Sequence, residues 1–182
     1  MKDCITTYSK VFFPVLNPEN ADIRMVDIAH ALSLLTRAGG HYPEFYSVAQ
    51  HCIDCYNEAK ARNYDDRVAL GCLLHDASEA YIADVTRPVK RNMTMYLQIE
   101  KQLQDEIYRR FMTTLPNEEE SKLIANIDDA CLYFEFDHFM GQKLMEEEPV
   151  LISEPTFEIR PHRDVEKEFL SLAQALLGEN QS

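Results

Sequence analysis

Leu73-Leu74-His75-Asp76-Ala77-Ser78-Glu79 ends an apolar run with a histidine and an aspartate side by side. Imidazoles and carboxylates buried behind such a run need partners, because desolvating them alone is costly. A divalent cation is one such partner, since it takes neutral imidazole nitrogen and carboxylate oxygen alike. The pair then needs further donors from elements distant in the chain.

The sequence around this stretch is patterned for helices. Asp65-Asp66 suits the start of a helix that turns Val68, Ala69, Cys72 and Leu73 inward and runs to about Tyr81. A helix before it is expected from about Pro43 to Ala61, with Phe45, Val48, Ala49, Cys52, Tyr56 and Ala59 as its stripe. Another is expected from Arg24 to Ala38, closed by Gly39-Gly40. Downstream, Asp84–Lys90 reads as a loop because Pro88 disfavours helix at Arg87. Helices follow at about 94–112, from the acidic Glu118–Glu120 to Met140, and at 163–177. Ser9–Phe13 reads as a short strand and 149–160 as a small hairpin. The expected class is all-α, a bundle of about six helices with at most a small β-hairpin.

Two residues complete a donor set. His51 sits mid-helix beside the upstream stripe, and Asp128 sits mid-helix among Ile124, Ile127 and Leu132. Each alone has an ordinary structural explanation; together, His51, His75, Asp76 and Asp128 bring two imidazoles and two carboxylates from three helices, a known way to build a site in a bundle. One divalent ion (Mn, Co, Ni, Fe or Zn) fits that mixture, which does not choose among them. Such an ion acidifies bound water and polarises a phosphoryl oxygen. Glu79 follows His75 by four residues and Asp76 by three, so a continuing helix puts it on their face. Its expected role is to orient or deprotonate the attacking water.

Composition narrows the partners. The 182 residues fit one domain, 1–182, and carry a formal net charge of −13. That charge repels a nucleic-acid backbone. A small phosphorylated substrate remains compatible, because a metal and the basic cluster Arg87, Lys90 and Arg91 reverse the sign locally. Glu146–Glu148 reads as solvated surface. No apolar run approaches a membrane span, and the first residues do not resemble a signal peptide. Five cysteines in such a chain suggest reduced thiols and a cytoplasmic location. Cys52-x-x-Cys55 has the form of a redox or zinc-ligand pair, but its place within a helix beside His51, with no second pair and no βαβ context, weighs against either.

Three stretches resemble the HD-domain phosphohydrolase superfamily, in particular its 5′-deoxynucleotidase-like branch. They are Asp27-Ile28-Ala29-His30-Ala31-Leu32 with Arg37 and Tyr46–His51; Leu74–Glu79 through Asp84 to Thr86, Pro88, Val89 and Lys90; and Ile127-Asp128 with Cys131 and Tyr133. The resemblance implies an HD-type helical bundle with a core at about 25–140 and a C-terminal extension, 143–182, carrying a helix. It implies the metal ligands His51, His75, Asp76 and Asp128. Of Asp128 and its neighbour Asp129, the spacing to Cys131, Tyr133 and Glu135 favours Asp128. It further implies Arg37 on the phosphate, Glu79 as the catalytic carboxylate, Asp84 near the sugar, and a homodimer. Arg87 and Lys90 are added as phosphate-capturing candidates. The implied reaction is phosphate release from (deoxy)nucleoside 5′-monophosphates. Alternatives are hydrolysis of nucleotide polyphosphates or alarmones, and nucleotide sensing without catalysis. The branch carries an Arg-Trp pair in the first segment, whereas here Arg37 is followed by Ala38-Gly39-Gly40-His41, and it has Glu more often where this chain has Gln50.

Overall fold

Three helix starts are fixed by side chains that accept otherwise unpaired backbone N–H groups. Ser47 and Gln50 form a reciprocal capping box, as do Asn117 and Glu120, and Asp65 accepts from the Val68 N–H at 2.8 Å. In the computed structural model, which describes residues 3–19 and 21–178, the helices are α1 (Met25–Leu34), α2 (Val48–Ala61), α3 (Asp66–Leu74), α4 (Glu79–Ile82), α5 (Arg87–Lys90), α6 (Thr94–Met112), α7 (Glu118–Met140) and α8 (His162–Leu177). Strands β1 (Ile5–Thr6) and β2 (Phe12–Phe13) form an antiparallel pair with Ile5 opposite Phe13. The all-α expectation holds: six helices are long, and α4 and α5 are single turns. No helix among the described residues is long and apolar enough to cross a membrane.

Several boundaries differ from expectation for identifiable reasons. α1 stops at Leu34 and α2 starts at Val48, not near Pro43, because residues 35–37 and 46–48 pair as extended backbone. Arg37 N–H donates to the Tyr46 carbonyl at 2.9 Å and Val48 N–H to that of Leu35 at 2.9 Å. Gly39 and Gly40 are both left-handed, in the turn after Arg37 rather than at the helix end. Arg87–Lys90 is a helical turn, not a loop, since a proline in a first turn surrenders no needed N–H. Residues 149–160 contain no strand: the N–H groups of Ile152 and Ser153 go to the Glu58 carboxylate, and Pro149 and Pro155 have none to give.

The change that matters most is the break after Leu74. A continuing helix would join the Ser78 N–H to the Leu74 carbonyl. The Gln104 side chain of α6 takes both instead, donating to Leu74 O at 2.7 Å and accepting from Ser78 N–H at 3.0 Å. α3 therefore ends at Leu74, and His75–Ser78 form a turn before α4.

Ile28, Leu32, Ile53, Leu73, Leu103 and Phe169 lie in the main core, which includes Val165 and Ala173 of α8. The C-terminal helix thus shares the core of the preceding helices. A smaller cluster joins α2, α3 and α7 through Cys55, Ala69, Cys72, Ile124, Ile127 and Cys131. In that seam a Cβ on Gly71 would overlap the Ile124 side chain. Gly71 precedes His75 by one turn, and Ile124 precedes Asp128 by one turn. The close approach of α3 to α7 therefore sets the gap across which the two motifs meet. Gly71→Ala is expected to destabilise the fold by about 1–3 kcal/mol through overpacking. Urea unfolding checks this, and an unchanged midpoint would show that the seam yields freely.

Candidate metal centre

Four side chains from three segments converge. His51 lies one turn inside α2, His75 and Asp76 lie in the turn made by Gln104, and Asp128 lies midway along α7. The Nε2 atoms of His51 and His75 are 3.1 Å apart. His51 Nε2 is 3.1 Å from Asp128 Oδ1 and 3.8 Å from Asp76 Oδ2. His75 Nε2 is 3.2 Å from Asp76 Oδ2 and 3.7 Å from Asp128 Oδ1. Donors about 2.1 Å from a shared ion stand roughly 3.0–3.5 Å from one another, so these separations suit one centre.

The far side of each ring fixes the proton. His75 Nδ1 is 2.8 Å from the Cys72 carbonyl, which can only accept. His51 Nδ1 meets the carboxylate of Glu135. Both Nδ1 atoms therefore carry hydrogen, and both Nε2 atoms present lone pairs to the centre. Two lone pairs facing at 3.1 Å repel unless positive charge lies between them. Without an ion, protons supply that charge. Burial and Arg37 oppose a charged His51, but Glu135 and Asp128 push it up to about 10. Burial also opposes charge on His75, and Asp76, Cys52 and Asp128 overcome it. Burial works to raise Asp76 and Asp128 as well, yet His75 with Arg37 holds Asp76, and His51 with His75 holds Asp128, below the usual carboxylate range. A divalent ion would replace the imidazole protons, so the residues fit such an ion.

The remaining expected residues occupy distinct places. Arg37 is buried, with Nη1 3.3 Å from Asp76 Oδ2 and Nη2 3.3 Å from Glu135 Oε2. Arg87 donates to Asp128 Oδ2 at 2.7 Å and to Asp129 Oδ1 at 2.8 Å. Asp129 thus faces outward with Arg87, while Asp128 turns its other oxygen to the histidines. Lys90 Nζ donates to Glu100 at 2.5 Å and lies 3.8 Å from Glu79 Oε1. Glu79 Oε2 is buried and has no hydrogen-bond partner among the described residues. Burial, reinforced by Asp76 and Asp84, pushes the Glu79 carboxyl up to about 9. Burial likewise raises Asp84, which makes no hydrogen bond among the described residues. A cleft of about 490 Å³ opens beside the centre, walled by His75, Asp76, Asp128, Lys90, Gln104 and Tyr108 among others. Lys90 lines this cleft; Arg37, Glu79, Asp84 and Arg87 do not.

Three contributors were not expected from sequence. Glu135 orients His51 and anchors Arg37, and its position seven residues after Asp128 puts it on the same face of α7. Gln104 has no local signal at all. Cys55 Sγ lies 3.6 Å from His51 Nε2. His51, Cys55 and His75, and likewise Cys52, His75 and Asp76, hold ligand atoms within 4.8 Å of one another and could bind a metal. Burial, with Cys131 and Asp128 adding, keeps the Cys55 thiol protonated when no cation is present.

No family model matches the chain. The uncharacterized protein YfdR of Escherichia coli is 35% identical over 107 residues, which are 59% of this chain and 57% of YfdR. The match thus spans little more than half of that relative's length. An uncharacterized protein of Rhodobacter capsulatus is 28% identical over 185 aligned positions, covering 90% of each chain.

Glu135→Gln keeps the shape of the side chain but removes the charge that holds His51 and Arg37. It is expected to weaken metal affinity about 10–100-fold. Chelator competition monitored alongside far-ultraviolet circular dichroism measures this. Unchanged affinity in a folded variant would show that Glu135 does not orient the ligand.

Proposed function

We propose that the protein is an HD-type, divalent-metal-dependent phosphohydrolase that releases phosphate from (deoxy)nucleoside 5′-monophosphates. The observation that carries this reading is the convergence of His51 Nε2, His75 Nε2, Asp76 and Asp128 at 3.1–3.8 Å, with the unpartnered Glu79 carboxyl close by. The cleft beside them falls within the usual range for small-molecule sites. The resemblance noted in the sequence supplies the substrate class.

A divalent ion held by these four residues would polarise a phosphoryl oxygen and acidify water. The protein's own groups do the rest. Once the positive charge of a bound divalent ion and of Lys90 favoured its carboxylate form, Glu79 Oε2, which is buried and without a partner, would accept a proton from the attacking water and return it to the leaving nucleoside oxygen. Lys90, on the cleft wall and 3.8 Å from Glu79 Oε1, draws the phosphate in and favours the carboxylate form of Glu79. Arg37 steadies Asp76 from behind. A homodimer acting in the cytoplasm completes the proposal.

The test is phosphate release by metal-replete protein from nucleoside monophosphates, compared with di-, tri- and tetraphosphates. Monophosphates should turn over. Preference for the polyphosphates would favour pyrophosphate hydrolysis, and tight nucleotide binding without product would favour a sensor. Asp76→Ala should lose the metal and all turnover. Glu79→Gln should keep the metal while kcat falls about 10²–10⁴-fold. A Glu79→Gln protein as active as the parent would remove Glu79 from the mechanism.

A further inference from the structure

Cys52-x-x-Cys55 has no part in the proposed reaction, yet it forms a wall of the centre. Cys55 follows His51 by one helical turn, so both project from the same face of α2. Its sulfur lies closer to His51 Nε2, at 3.6 Å, than to Nδ1, at 4.0 Å, and therefore sits on the side of the ring that faces the centre. Both His51 ring nitrogens lie within hydrogen-bond reach of its sulfur, as does the Cys131 thiol on α7. A thiolate about 2.3 Å and an imidazole about 2.05 Å from one ion stand roughly 3.1–3.6 Å apart. The cleft wall includes His75, Asp76 and Asp128 but neither His51 nor Cys55. A sulfur donor would therefore approach from the interior and leave the cleft side open.

We propose that Cys55 is a fifth protein ligand, giving the centre a sulfur donor alongside His51, His75, Asp76 and Asp128. This rests on the reading of those four residues as a metal site. Coordination forms a sulfur–metal bond as the thiol proton leaves to solvent, with no change of oxidation state. A sulfur donor biases the centre towards zinc, cobalt(II) or iron(II) over manganese or magnesium. The alternative arrangement is a thiol that merely donates a hydrogen bond to His51.

Cobalt(II) titration of the metal-stripped full chain separates the two. The parent protein should develop a near-ultraviolet sulfur-to-cobalt charge-transfer band together with visible ligand-field bands. Cys55→Ser and Cys55→Ala should lose the first and keep the second, and the Ala variant's preference for cobalt over manganese should fall at least about tenfold. X-ray absorption of the zinc-loaded parent, which needs no variant, should show one sulfur at about 2.3 Å. Ligand-field bands without charge transfer, and zinc with only nitrogen and oxygen neighbours, would overturn the sulfur ligand while leaving the metal site intact. A band that survives Cys55→Ser but disappears in Cys52→Ser would move the ligand to Cys52 and overturn the proposal. No bound cobalt or zinc at all would overturn both the ligand and the metal site beneath it.

Discussion

Charge imbalance governs the centre. Asp76, Glu79, Asp84, Asp128 and Glu135 surround it, and Arg37, Arg87 and Lys90 are the cations that answer them. Asp129 and Glu100 also draw on Arg87 and Lys90. Carboxylates this crowded cannot all remain charged in a low-dielectric interior without further positive charge. Two facing imidazoles that take up protons are one answer. A divalent ion is the more economical one, since it satisfies both lone pairs and both aspartates from a single point. The geometry around the ring nitrogens follows: each Nδ1 is tied down from behind so that each Nε2 stays aimed inward.

Holding that arrangement requires elements that do not drift. His51 and Asp128 sit on long helices, α2 and α7, whose starts are fixed by capping boxes. His75 and Asp76 lie in a turn, the less rigid choice, and Gln104 compensates. One amide bonds both the Leu74 carbonyl and the Ser78 N–H, the two groups that a continuing helix would have joined. The same residue lines the cleft. Substrate entering the cleft would thus press on the residue that positions two of the four donors.

Much of this was legible in the sequence, and the rest was hidden for physical reasons. The helix class and the boundaries at Asp66, Thr94, Met112, Glu118 and Met140 follow from periodicity and caps, which are local. The four converging residues could be chosen because buried His and Asp beside apolar runs need a shared partner, and because the HD-type resemblance pointed to the same set and to Asp128 over Asp129. The break at Leu74 could not be foreseen, since Leu73–Ile82 has no helix breaker and the interruption comes from a side chain on α6. The start of α2 lies later than Pro43 suggests, because the Ser47–Gln50 box caps the helix there and the pairing of 35–37 with 46–48 joins residues that local signals do not connect. The hairpin expected at 149–160 failed because Glu58, about ninety residues away, takes the donors a partner strand would have used.

The arginines illustrate how geometry refines a role suggested by resemblance. A phosphate entering the centre must find donors that are already engaged. Arg87 is half exposed, and exposed ion pairs are worth only about 0–1 kcal/mol, so its hold on Asp129 is cheaply exchanged for a phosphate oxygen. Arg37 is buried against Glu135, and breaking a buried pair costs about 3–5 kcal/mol. Arg37 is therefore better suited to stay in place than to swing out. Its bonds to Asp76 and Glu135 use three of the five N–H donors of a guanidinium, which leaves two to reach a phosphate without releasing either carboxylate. In this arrangement Arg37 would serve as a fixed post and Arg87 as an exchangeable gatepost, while Lys90 lines the cleft itself.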